Sequence, residues 1–331
     1  MSKERMTPRE IIWANLNHEN PPRPGLTFDR GRINDMVGGG PGRPAGYEQR
    51  RWVEGNREYY DDPWGNLWVR MVGGSFKGEI YQPVLKDWKD LDKLQAPQYD
   101  IETAAENMKL GFAREPEKFR LAHIGGWIFD NARYLRKMEV YFMDLALYPE
   151  EVRRMHSIVA GMYEKLIHAA GKAGADGIMI GEDMGTQQGL LFSPQMFRDY
   201  FKAEYTRLMS IAHEYGMKVL MHSCGSNWAI VDDLMDCGVD CFQFDQPEIY
   251  DMPALADKFR QRKGALWSPV DIQKILPTGD RAIIEAGALR MCRIFDGFLI
   301  AKNYGDLNGI GVKEEWDDWA YQAICRYAGV A

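Results

Sequence analysis

Gly177-Ile178-Met179-Ile180-Gly181-Glu182-Asp183-Met184-Gly185 decides how this chain is read. An apolar run this short, closed by two carboxylates and a glycine, predicts a strand buried on both faces whose chemistry sits at its C-terminal end. The next segment is helix-length. Ser193-Pro194 supplies a cap and a first-turn proline, the segment closes at Gly216, and Lys218-Val219-Leu220-Met221-His222-Ser223-Cys224-Gly225 repeats the pattern. Strand, helix, strand at this spacing is the rhythm of parallel βα units.

Working outward, further runs lie at 119–126, 241–248, 264–270 and 297–306, with an apolar segment Gly25-Leu26-Thr27-Phe28-Asp29 near the start. That makes seven strands. The fold expected is a distorted (β/α)8 TIM barrel, with the eighth strand sought within 50–118; an open doubly wound sheet is the alternative. The domain expected is a single barrel over 1–331 with two insertions. One is a Gly/Pro-rich surface loop at 31–50, of the kind that forms lids. The other is an aromatic-rich hairpin excursion at 56–98 holding Tyr59, Tyr60, Trp64, Trp68 and Trp88. Two helices are well signed. Thr7-Pro8-Arg9-Glu10 is a capping-box start, and 149–170 carries Val152, Met155, Val159, Met162 and Leu166 on one face.

The 331 residues include 41 Lys+Arg and 48 Asp+Glu, a net charge of −7, and 45% are hydrophobic. Such a balance offers no general attraction to phosphate backbones, so no nucleic-acid partner is expected. No window suits a membrane span and the start is unlike a signal peptide, so a cytoplasmic protein is expected. The five cysteines are odd in number and fit reduced thiols. Neither a nucleotide phosphate loop nor a G-x-S-x-G elbow is present, and the glycines at 38–46 sit among prolines that preclude a dinucleotide fingerprint.

In a parallel barrel, strand ends converge on one face and carry the catalysis. They offer Asp29 and Arg30, Trp127, Glu182 and Asp183, His222 and Cys224, Gln243 and Asp245, Ser268 and Asp271, and Asn303, Tyr304 and Asp306. His222 and Cys224, two apart, share a face, and imidazole with thiolate suits zinc. The plain alternative is a buried histidine beside a small apolar cysteine. Glu182, one strand earlier, is the first choice for a third ligand and Asp306 the second. Cys237, Cys241, Cys292 and Cys325 are read as structural, His123 as a core histidine, and His18, His156, His168 and His213 as solvated.

Gly181-Glu182-Asp183-Met184-Gly185-Thr186-Gln187-Gln188-Gly189, Ser193-Pro194-Gln195-Met196-Phe197, the His-Ser-Cys-Gly ending at Gly225, and Gly238-Val239-Asp240 together resemble the uroporphyrinogen decarboxylase superfamily. Thr7 to Glu10 and Tyr59-Tyr60-Asp61-Asp62-Pro63-Trp64-Gly65 fit as well. The resemblance implies a distorted (β/α)8 barrel and a homodimer. The His-x-Cys pair is similar to the cobamide-dependent methyltransferase branch, where it supplies two zinc ligands. Phe28-Asp29-Arg30-Gly31-Arg32 is not the arginine-rich segment of the decarboxylases. Ala301-Lys302-Asn303-Tyr304-Gly305-Asp306 lacks the second thiol of the thiol-methylating enzymes, which leaves a carboxylate-completed zinc or no metal.

The activity expected is therefore removal of a methyl group from a small methoxylated, aromatic compound, with zinc or an acid activating the ether oxygen. A separate corrinoid protein would accept the methyl group. Glu182, Asp183 and Tyr304 are the expected catalytic groups; Asp29, Arg30, Trp127, Gln243, Asp245, Asn303 and Asp306 are the expected substrate contacts. The alternative is a metal-free decarboxylase of a small carboxylic acid that uses Asp29, Arg30 and Arg32.

Overall fold

The computed structural model describes residues 6–74 and 78–330. Twelve strands are found among them: β1 (Gly25–Thr27), β2 (Met36–Gly39), β3 (Arg51–Glu54), β4 (Arg57–Asp61), β5 (Leu67–Met71), β6 (Glu79–Gln82), β7 (Phe119–His123), β8 (Gly177–Gly181), β9 (Lys218–His222), β10 (Cys241–Gln243), β11 (Ala265–Ser268) and β12 (Leu299–Lys302). Eight of them form one parallel sheet in the order β1-β12-β11-β10-β9-β8-β7-β2. The first and last strands of this order are consecutive in the chain, so the sheet curls into a nearly closed barrel inside a layer of helices.

The seam between β1 and β2 carries no parallel ladder. It is held instead by an antiparallel bridge between Thr27 and Asn34 and by the Asp35 N–H donating to the Leu26 carbonyl at 2.6 Å. The Asp35 carboxylate accepts from the Leu26 N–H and pairs with Arg23, so the seam is braced by a buried ion pair. This is the distortion in the barrel.

The eighth strand is therefore β2, and its place corrects the sequence expectation twice. It lies outside 50–118, and it falls inside the stretch 31–50 expected to be a surface loop. The reason is packing. Gly38 and Gly39 contribute no side chain, and a Cβ built on Gly39 would come within 2.6 Å of the Met108 carbonyl oxygen on helix Ile101–Phe112. Glycine here allows a helix to lie directly on a strand, a role that hydrophobic pattern cannot reveal.

The excursion between β2 and β7 is a second sheet, antiparallel, in the order β3-β4-β5-β6. Trp52 stacks on Tyr59 and Tyr81 meets Tyr59 edge-on across one face, while Trp68 on the other meets Tyr134 of helix Ile128–Arg136 at 4.8 Å. The aromatics thus fasten this sheet to the barrel top. The capping box of Thr7 and Glu10 opens helix Pro8–Asn17 as expected, and helix Pro149–Lys172 buries the predicted face. The segment 193–216 is two helices, Pro194–Tyr200 and Lys202–Glu214, broken at Phe201. No helix among the described residues is long and apolar enough to cross a membrane.

Candidate active site

Register builds the site. Gly181, His222 and Gln243 are side by side across β8, β9 and β10. Side chains alternate along strands, so Asp183, Cys224 and Asp245, two residues further on, share the facing of that row, whereas Glu182 faces the opposite way. The contacts agree. His222 Nε2 lies 3.4 Å from Asp183 Oδ1 and 3.5 Å from Cys224 Sγ, and the Cys224 N–H donates to Asp183 Oδ1 at 3.1 Å.

One donor atom from each of Asp183, His222 and Cys224 lies within 4.8 Å of the other two. A tetrahedral ion with bonds of about 2.0–2.3 Å imposes ligand separations of roughly 3.4–3.6 Å, so the observed spacings fit zinc, as does the N, S, O donor set. Glu182 stands elsewhere. It is fully buried, its Oε1 accepts from the Phe129 N–H at 2.7 Å, and its Oε2 is bonded by the Tyr205 hydroxyl. Both oxygens are turned to the helix layer, and the carboxylate drawn up to His222 and Cys224 is that of Asp183.

These groups lie at one side of a cavity of about 630 Å³. Asp62, Pro63, Trp64 and Trp68 of the excursion roof it; Tyr99, Tyr134, Tyr163 and Met162 wall it; Glu182, Asp245 and Tyr304 also reach it. Asp62 fixes the roof by accepting from the Trp64 and Asn66 N–H groups, from Asn66 Nδ2, and from Trp68 Nε1 at 2.7 Å.

Burial pushes the Glu182 carboxyl well above its usual range, and the Asp130 charge adds to this. Burial alone would lower the pKa of His222, but the partners Asp183 and Cys224 and the Asp245 charge outweigh it and raise it well above the ordinary value. Burial raises the Cys224 thiol, with His222 opposing. Burial and then the Asp245 charge raise Tyr304, which stays protonated.

The other expected site residues are dispersed. Arg30 pairs with Glu314 on the C-terminal helix Glu314–Ala328 at the surface, and exposed Asp29 pairs with the half-buried Arg32. Asn303 is buried and accepts from the Asp29 N–H at 3.0 Å. Asp306 accepts from the Gly309 N–H, and Trp127 is fully buried beneath Tyr163 and Tyr205. None of these lines the cavity, so the residues that a metal-free decarboxylase would use are not gathered at it. Gln243 and Asp245 do reach the centre, behind His222.

Two histidine expectations change. His123 ends β7 and is exposed, and His156 is buried between Tyr141 and the Tyr200 carbonyl instead of solvated. Cys237, Cys241, Cys292 and Cys325 are buried, away from the centre. The sequence reading missed Lys302, 3.3 Å from Asp245 Oδ1, and Tyr205. Lys302 closes β12 and could have been found by the strand-end rule that picked its neighbours; Tyr205 lies mid-helix and carries no such signal.

The molecule is an α/β barrel whose polar groups collect at the C-terminal ends of adjacent strands, the place where barrel enzymes keep their chemistry. Residues 67–300 match the family model for uroporphyrinogen decarboxylase (URO-D), and the chain belongs to that family. Among solved structures it is similar to a methyltransferase from Methanosarcina mazei, with TM-score 0.60 and 18% identity over 76% of this chain and 72% of that one. It is also similar to a D-psicose 3-epimerase, with TM-score 0.42 and 12% identity over 74% of this chain and 88% of that one. The likeness to the methyltransferase shows a shared barrel fold. No curated protein matches the sequence.

Proposed function

We propose that the protein is a cytoplasmic methyltransferase that removes a methyl group from a small methoxylated aromatic compound and passes it to the reduced corrinoid of a separate protein. The observation that carries this reading is the convergence of Asp183, His222 and Cys224 on one point at the edge of an aromatic-walled cavity. Membership of the URO-D family and the barrel shared with a methyltransferase support the class.

Asp183, His222 and Cys224 would hold a zinc ion, which would supply Lewis acidity toward the ether oxygen. One thiolate, one imidazole and one carboxylate leave the centre less electron-rich than two or three thiolates would, which favours an oxygen ligand over a thiol. Trp64, Trp68 and Tyr134 present flat faces for the ring of the substrate and exclude water from the reacting bond. The methyl group leaves oxygen without the bonding pair, and two electrons from cobalt(I) of the partner's corrinoid form its new bond. The released phenoxide needs one proton. Tyr304 lines the same cavity and holds a hydroxyl proton for it. The working oligomer proposed is a homodimer.

Metal analysis joined to a methyl-transfer assay tests the reading. About one zinc per chain is expected, with demethylation of methoxyphenols by reduced corrinoid protein followed through the change in its visible spectrum. His222→Ala and Cys224→Ala should each lose zinc and transfer together. Metal-free protein that releases carbon dioxide from a carboxylic acid, with no methyl transfer, would overturn it.

A further inference from the structure

Behind His222, on the side away from Asp183 and Cys224, lies a buried polar chain. His222 Nδ1 is 2.6 Å from Gln243 Oε1, Gln243 Nε2 is 2.6 Å from Asp245 Oδ1, and Lys302 Nζ is 3.3 Å from that same oxygen. Gln243 and Asp245 are 3% and 5% exposed. We propose that Gln243, locked by Asp245 and Lys302, is a positioning residue: it holds the hydrogen of His222 on Nδ1 and leaves Nε2 as the atom that ligates a metal. The inference rests on the reading of Asp183, His222 and Cys224 as a metal centre.

Donor and acceptor roles are fixed in turn, outward from Lys302. An ammonium can only donate, so Asp245 Oδ1, the oxygen that Lys302 Nζ approaches, is an acceptor. The amide atom 2.6 Å from that carboxylate is therefore nitrogen; the flipped amide would press oxygen against oxygen. The amide oxygen must then face His222, and an amide oxygen accepts only, so Nδ1 carries the hydrogen. Asp245 Oδ2, 3.9 Å from the same Nδ1, favours a hydrogen there as well. Nε2 is then the nitrogen that faces Asp183 and Cys224 and is free to ligate. The bond is built into the sheet, because His222 and Gln243 are register partners across β9 and β10.

A ligating histidine usually gives its second N–H to a carboxylate or a carbonyl, and such partners are worth about 10- to 100-fold in metal affinity. Here the direct partner is a neutral amide, and the carboxylate stands one step further out, paired with a lysine. An imidazole that ligated a metal through Nε2 would be neutral, and the negative charge beside the dication would be confined to Asp183 and Cys224. Electron donation from the imidazole would thereby be weaker than with a direct histidine–carboxylate pair, which would preserve the Lewis acidity needed to polarise an ether oxygen.

The test uses the full chain, stripped with a chelator and titrated with cobalt(II) by absorbance and with zinc in competition with a chromophoric chelator. Gln243→Leu is expected to weaken both metals by about 10- to 100-fold. In the zinc-loaded parent, nitrogen NMR of labelled histidine should report Nε2 bound and Nδ1 protonated. Unchanged affinity in Gln243→Leu, or zinc on Nδ1, would overturn the proposal, and the NMR arm decides even if the leucine variant does not fold. A parent that takes up no metal would overturn the metal reading itself, a different result from a parent that binds and a variant that binds equally well.

Discussion

Glu182 shows how one residue step separates two chemistries. Asp183 faces the barrel row of His222, while Glu182 faces the helices, where the Phe129 amide and the Tyr205 hydroxyl take its oxygens. Burial places the folded pKa of this carboxyl above its unfolded value. The stability it contributes is complete below the unfolded pKa, near the ordinary glutamate value, and is lost as pH rises toward the folded one. Glu182→Gln keeps an acceptor for Phe129 and removes the titration. Urea midpoints of parent and variant are therefore expected to diverge in favour of the variant as pH rises from about 4.5 toward neutrality; parallel curves would show that the carboxyl does not titrate in this way. Glu182→Ala, which orphans the Phe129 N–H and leaves a cavity, is expected to cost about 2–4 kcal/mol by the same urea measurement.

At the scale of elements, β2 completes the barrel and the excursion sheet roofs the cavity. A Cβ on Gly111 would come within 2.7 Å of the Gly38 carbonyl oxygen and 2.8 Å of the Gly39 Cα, both backbone atoms that cannot swing aside. Gly111→Ala is expected to destabilise by about 1–3 kcal/mol, read from thermal or urea unfolding. Trp68→Ala removes a roof plate and a donor to Asp62, and should raise the KM for an aromatic methyl donor by about tenfold, worth about 1.4 kcal/mol, while zinc content holds. The βα rhythm from Phe119 onward was readable because parallel strands are apolar throughout and their polar ends stand out. The His222 and Cys224 pair was readable because two-residue spacing has one meaning on a strand. β2 was not, since its identity rests on glycines that permit contact. The choice between Glu182 and Asp183 was not either, because it depends on where β8 ends relative to β9, a register that only the assembled sheet fixes.

Across the whole molecule, the C-terminal helix Glu314–Ala328 ties the loop after β1 to the barrel. Arg32 Nη1 lies 2.8 Å from Asp317 Oδ2, off the hydrogen-bonding direction, and its guanidinium rests over Phe28 and Tyr321. Arg32→Ala leaves Asp317 buried without its counter-charge and is expected to cost about 3 kcal/mol in unfolding experiments, with methyl transfer preserved below the lowered melting range. Loss of turnover without loss of stability would instead place Arg32 in the chemistry. The distribution of sulfur over the fold has its own consequence. Four of the five thiols are sealed in the interior and Cys224 alone is partly open. An alkylating reagent applied to the native apoprotein should therefore add one adduct per chain, and the rate at which that mass increment grows, with and without added zinc, serves as an occupancy gauge that needs neither substrate nor partner.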